Sequence, residues 1–207
     1  VLIMESTFGM PIFRWKNDKE VFQEIFTLWE KCKEINKNLI LYCYSLGKSQ
    51  RVLHGLLRFF GESSFPGKII VHASIAAINT IYKYHGVQLP QYSVLLQKKK
   101  SAEAGLILLP PSVKGSKVVE QLKPSVQAVV SGWMAIRGIK RRRAADKGFV
   151  ISDHADWNGL NLAIKATEAE KIFVTHGYTD SFSKWLQFKG LNASVVKTEF
   201  TTTEDDI

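Results

Sequence analysis

Apolar positions along the chain fall into short continuous runs separated by stretches of helical spacing. Val1 to Met4 reads as a buried strand, and residues 18–36 as an amphipathic helix with Val21, Ile25, Leu28, Trp29 and Cys32 on one face. The alternation continues with a strand at 38–44, a helix at 49–60, a strand at 68–72 and a helix at 75–84. Short strands follow at 105–109, stopped by Pro110-Pro111, and at 127–130. Strand 148–152, helix 157–169, strand 171–175, helix 180–189 and a last strand at 193–197 complete the pattern. Strands alternating with helical stretches predict an α/β fold on a mostly parallel sheet flanked by helices. Residues 86–104 are polar, include Gln97-Lys98-Lys99-Lys100, and read as a surface connection. The acidic, polar end 201–207 reads as a disordered tail.

Charge narrows the class of partner. The net charge is +9 and the pI near 9.5, which favours an anionic partner. Nucleic acid stands ahead of a membrane surface, because no basic amphipathic helix is present. The densest cationic stretch holds Arg137, Lys140, Arg141, Arg142, Arg143 and Lys147, with Trp133 nearby as a stacking-capable ring. A charge run is usually a solvated face, but here it directly precedes a histidine-bearing strand, so backbone phosphate contact is the expected role. Cys32 and Cys43 have no metal-ligand spacing and read as reduced thiols. No apolar run approaches the roughly 20 residues a membrane helix needs, and the N-terminal apolar stretch ends at Met4, too short for a signal peptide. The expectation is a soluble, cytoplasmic protein without a membrane partner. A strand at residue 1 adds the expectation that these residues are the C-terminal part of a longer protein.

Two histidines follow apolar runs, His154 in Ser152-Asp153-His154-Ala155-Asp156 and His176 in Val174-Thr175-His176-Gly177. Asp156 is positioned to cap the intervening helix, with Leu160, Ala163, Ile164 and Thr167 at helical spacing. A strand, helix, strand unit predicts parallel neighbours about 5 Å apart, with both imidazoles at one carboxyl edge. Glu5 ends the first strand, and a carboxylate at that edge would fix an imidazole tautomer for general acid catalysis. The bland alternatives are strand-ending histidines and a surface glutamate. Two histidines do not complete a four-ligand metal site, and no His-x-His pair exists in the chain. Gly47-Lys48-Ser49 resembles the end of a phosphate loop, but Tyr42 stands where that loop needs glycine. A helix N-terminus bearing Lys48 and Ser49 remains a candidate phosphate contact. His54 reads as lying on a helix face and His85 as ending a helix; His72 ends a strand and reads as structural, with lining of a substrate groove as the alternative.

The segments Glu5-Ser6-Thr7-Phe8-Gly9, Leu46-Gly47-Lys48-Ser49-Gln50-Arg51, Gly132-Trp133-Met134-Ala135-Ile136-Arg137-Gly138, Ser152-Asp153-His154-Ala155-Asp156-Trp157 and Val174-Thr175-His176-Gly177 occur in that order. Together they resemble the β-CASP branch of the metallo-β-lactamase-fold nucleases, in particular the bacterial exonucleases associated with a DNA ligase and labelled as messenger-RNA 3′-end processing factor-like. The resemblance covers nearly all of residues 1–200. It implies that 1–13 close a first metallo-β-lactamase half, 14–147 form the inserted β-CASP domain, and 148–200 return to the metallo-β-lactamase domain. It implies a zinc-dependent phosphodiesterase, a DNA exonuclease ahead of an RNA-processing nuclease, with two zinc ions activating water. On that resemblance Glu5 orients His154, His154 protonates the leaving group, and His176 ligates zinc. Lys48, Ser49, Arg137, Arg141, Arg142 and Arg143 would then hold nucleic acid, and a DNA ligase is the implied protein partner. The His-x-His-x-Asp-His zinc motif of that family is absent here, so the ligand set is incomplete and the chain alone is expected to be inactive. The alternatives are a non-catalytic nucleic-acid-binding protein of this fold and a small-molecule hydrolase on a metallo-β-lactamase-like scaffold.

Overall fold

The computed structural model describes residues 1–95, 104–136, 138 and 145–196. The chain divides into two compact units, one of Lys16–Asp153 and one of Val1–Trp15 with His154–Ile207. The expected tail at 201–207, the Gln97–Lys100 run and most of the Arg137–Arg143 run lie outside the described residues.

The first unit is built on strands β2 (Asn38–Tyr42), β3 (Ile69–Val71), β4 (Ser93–Val94), β5 (Leu106–Leu109), β6 (Ser125–Val130) and β7 (Lys147–Phe149). They form a six-stranded sheet in the order β4-β3-β5-β2-β6-β7, with every pairing parallel. The central strands β2 and β5 are buried at every position, which explains why Asn38–Tyr42 and Leu106–Leu109 read as near-continuous apolar runs. Period-2 alternation divides their side chains between two cores. Leu39, Leu41, Leu106 and Leu108 face one core, shared with the helices α1 (Asp18–Glu34) and α2 (Lys48–Phe60) and with Ile75 of α3 (Ala73–Tyr84). Ile40, Tyr42, Ile107 and Leu109 face the other, with Val119 of the short α4 (Lys117–Gln121) and with Leu122.

Helix α1 keeps its expected face and adds Phe22 and Phe26 to it. Asn17 caps it by accepting a hydrogen bond from Lys19 N at 2.9 Å. Asp18 and Glu20 in its first turn and Lys31 and Lys33 in its last complement the helix dipole. Strand β4 and helix α4 were not legible: β4 is two residues long and lies in what reads as a surface connection. Too few residues are present there for a period to appear.

The second unit holds β1 (Leu2–Ser6), β8 (Ile172–Gly177) and β9 (Ala193–Val195), a three-stranded parallel sheet in the order β1-β8-β9. Helices α5 (Trp157–Thr167) and α6 (Thr179–Phe188) cover it, burying Trp157, Leu160, Ile164, Phe182 and Leu186 against Ile172 and Val174. Asp156 caps α5 as expected, its Oδ1 accepting from Gly159 N at 2.8 Å. Its Oδ2 also accepts from Trp15 N at 2.9 Å, tying the N-terminal segment to the start of α5.

The strand, helix, strand reading of 148–175 is corrected by this topology. Strand β7 pairs with β6 and β8 pairs with β1 and β9, so the two runs belong to different sheets. Phe149 and Ile151 are buried in the first unit's core, and the chain runs irregularly through 150–156 before α5. Sequential strands are neighbours only about two-thirds of the time. Here β1, distant in sequence, is the partner that β8 pairs with, along with β9.

Candidate active site

The sheet of the second unit places Glu5 and His176 at the carboxyl ends of adjacent parallel strands. Pairing runs Met4 with Val174 and then Ser6 with Gly177, so Glu5 alone stands opposite Thr175 and His176. That extra residue in β8 is a bulge, a device that re-aims a side chain at a strand end. Ile172 and Val174 are buried, whereas His176, two residues on, is exposed.

His154 reaches this edge by a different route from the one expected. It is not at a strand end; it lies in the loop before α5, with the Glu5 carboxylate beside its ring. Its Nδ1 is 3.4 Å from Glu5 Oε1, with the two side chains 47% and 33% exposed. The other carboxylate oxygen of Glu5 accepts a 2.5 Å hydrogen bond from Thr7 N, which fixes the carboxylate in a turn. The Phe8 ring meets the His154 ring edge to face at 6.0 Å and packs on Phe13 and Trp15, each at 4.9 Å. A carboxylate on one side and an aromatic face on the other restrict the imidazole's orientation. The Glu5 contact is made through Nδ1 of the ring.

Ser6, fully buried, ties the two strand ends. Its Oγ donates to the carbonyl oxygen of His176 at 2.7 Å, and its own carbonyl accepts from Tyr178 N at 3.0 Å. Gly177 has φ +86°, and a Cβ there would lie 2.4 Å from the Ser6–Thr7 backbone, so only glycine fits. Sequence reading quoted Ser6 and Gly177 inside motifs but assigned them nothing. The signal was a short polar residue beside an acidic strand end, set against a His-Gly step.

The first unit gives Lys48 and Ser49 internal roles. Lys48 Nζ lies 3.3 Å from Asp153 Oδ2 with its side chain only 6% exposed, and 4.8 Å over the Tyr44 ring. Ser49 is fully buried and donates to Tyr44 O at 2.7 Å. Neither side chain presents a free group to a phosphate. Arg51 also works inside the unit, donating from Nη1 to Ser152 O and from Nη2 to Asp18 Oδ1 at 2.9 Å. Asp153 and Arg51 are contributors that the sequence reading did not single out. Arg137, Arg141, Arg142 and Arg143 lie outside the described residues.

The cysteines are buried and free. Burial pushes the Cys43 thiol up to about 12, against a smaller opposing effect of its Ser49 hydrogen bond, and burial likewise raises Cys32. His54 Nδ1 lies 2.9 Å from Gln88 O, His72 caps α3 by accepting from Ser74 N at 3.2 Å, and His85 ends that helix. No group of three or more His, Cys, Asp or Glu side chains among the described residues is placed to hold a metal ion. No described helix is long and apolar enough to cross a membrane.

No family model matches the chain. It is 28% identical over 193 residues, 93% of its own length, to a protein of Opitutus terrae named as a probable DNA ligase. The chain spans only 18% of that protein.

Proposed function

We propose that this chain is part of a phosphodiester hydrolase acting on DNA, with Glu5 and His154 as its proton-transfer pair. The observation that carries the reading is the 3.4 Å carboxylate–imidazole contact at a sheet edge where the next strand carries His176 as its penultimate residue. Cleavage of a phosphodiester leaves an alkoxide, which needs a proton. A histidine side chain oriented by a carboxylate can supply one as general acid. The polymer substrate is supported by the charge of +9 and by similarity to a protein named for DNA ligation. That name supports DNA ahead of RNA and a ligase-linked role in DNA metabolism as the proposed reading.

Zinc belongs to the proposal through the family resemblance alone. The described residues offer His176 as one candidate ligand and do not gather a metal-binding group, so no step is routed through a metal here. The reading requires the other ligands to come from elsewhere in the natural protein or from a partner chain. The cationic contacts to DNA are assigned to Arg137 and Arg141–Arg143, because Lys48 is taken up by Asp153.

The test is cleavage of an end-labelled DNA oligonucleotide by the full natural protein, with zinc supplied and with a chelator. Zinc-dependent cleavage that falls at least about a hundredfold in His154→Ala supports general acid catalysis of the expected size. Wild-type and His154→Ala proteins of equal activity remove the proposal.

A further inference from the structure

The tripeptide Glu5-Ser6-Thr7 addresses both histidines of the site, each through a different group. The Glu5 carboxylate holds the His154 ring, and the Thr7 N–H holds that carboxylate from behind. Ser6, between them, makes no hydrogen bond to a histidine ring among the described residues. Its hydroxyl donates to the main-chain oxygen of His176, and its carbonyl accepts from Tyr178 N, past Gly177. Thr175 Oγ1 reaches back to Met4 O at 3.4 Å, so the residues on both sides of His176 are pinned to β1. The imidazole of His176 makes no hydrogen bond among the described residues, so its backbone carries the fixing contacts.

We propose that Ser6 is a positioning residue, whose hydroxyl clamps the His176 main chain across the β8 bulge and thereby aims the His176 ring at the centre served by Glu5 and His154. The proposal deepens the hydrolase reading and rests on it for its catalytic consequence. Its structural half stands on geometry alone. Ser6 is fully buried, so its hydroxyl has no solvent partner to exchange for the His176 carbonyl. A bulge held only by main-chain pairing is free to relax, and a displaced side chain about 1 Å out of place costs up to about a hundredfold in rate.

Two variants separate the hydroxyl from the space it fills. Ser6→Ala removes the donor, and Ser6→Cys fills the site with a group that donates poorly. Both are expected to lower kcat about tenfold, with KM for a DNA oligonucleotide within about twofold of wild type. Both should also shift the His176 ring resonances, with those of His54 and His85 unchanged. Wild-type kcat and unmoved His176 signals in Ser6→Ala overturn the proposal. So does wild-type behaviour of Ser6→Cys, which would assign the effect to packing. If the wild-type protein cleaves no DNA, the hydrolase reading falls by itself. The His176 ring signals then still decide the clamp, shifted signals sustaining it and unmoved ones removing it.

Discussion

The Lys48 ammonium and the Asp153 carboxylate lie 3.3 Å apart, the lysine side chain 6% exposed and the aspartate 38%. This asymmetry makes their removal unequal. Asp153, freed of its partner, turns to water, whereas Lys48 is left as a buried charge without a counter-ion. Asp153→Ala is therefore expected to destabilise by about 2 kcal/mol and Lys48→Met by about 1 kcal/mol, below the range for a fully buried pair. Urea unfolding of the two variants measures the difference, and equal losses would contradict it.

On the proposed reading the same contact keeps Lys48 from serving as a DNA contact. A lysine that neutralises a phosphate steepens the salt dependence of binding by about one unit in log–log slope. Lys48→Met is expected to leave that slope unchanged, while Arg142→Met lowers it. Fluorescence anisotropy with a labelled oligonucleotide across a salt series distinguishes the two.

Gly177 is the tightest point of the second unit. With φ +86° and a would-be Cβ 2.4 Å from the Ser6–Thr7 backbone, Gly177→Ala must separate β1 from β8. A loss above about 2 kcal/mol is expected from strain and overpacking together. Gly190→Ala is the control: its φ is +79°, but a Cβ there meets nothing within 4 Å. It should lose only about 1 kcal/mol from its backbone conformation. Thermal unfolding of the pair isolates the contact from the φ angle.

Alkaline pH should weaken the first unit. Burial raises the Cys43 thiol from 9.0 to about 12 and the Tyr42 phenol from 10.0 to about 12. Both groups stay protonated in the fold over a range where the unfolded chain has released its protons. Stability is complete below about pH 9 and falls as pH rises toward 12. Denaturant midpoints should drop between pH 8 and pH 11, less steeply in Cys43→Ala. A flat profile over that range would count against the burial of both groups.

Much of the fold is legible because the central strands carry a strong apolar signal. Asn38–Tyr42 and Leu106–Leu109 are buried on both faces, and α1 shows its stripe from Val21 to Cys32. Sheet membership is not written in such runs. The assignment of 148–175 to one sheet failed because the pairing of Leu2–Ser6 with Ile172–Gly177 joins distant parts of the chain, and no local period reports it. Glu5, His154 and His176 were visible as chemistry-bearing residues at the ends of apolar runs. The role of Lys48 was not, because a Gly-Lys-Ser step at a helix start looks the same whether the lysine faces a phosphate or Asp153. The Ser6 hydroxyl was invisible for a related reason: its acceptor is a main-chain oxygen 170 positions away.

The central claim is that Glu5 and His154 act as one proton-transfer unit. A double-mutant cycle on DNA cleavage by the full natural protein, with Glu5→Gln, His154→Ala and the two combined, tests it most directly. The account predicts that the double variant is no slower than His154→Ala, since Glu5 acts only through that ring. Rate losses that multiply would contradict it, showing two independent groups with no functional coupling across the 3.4 Å contact.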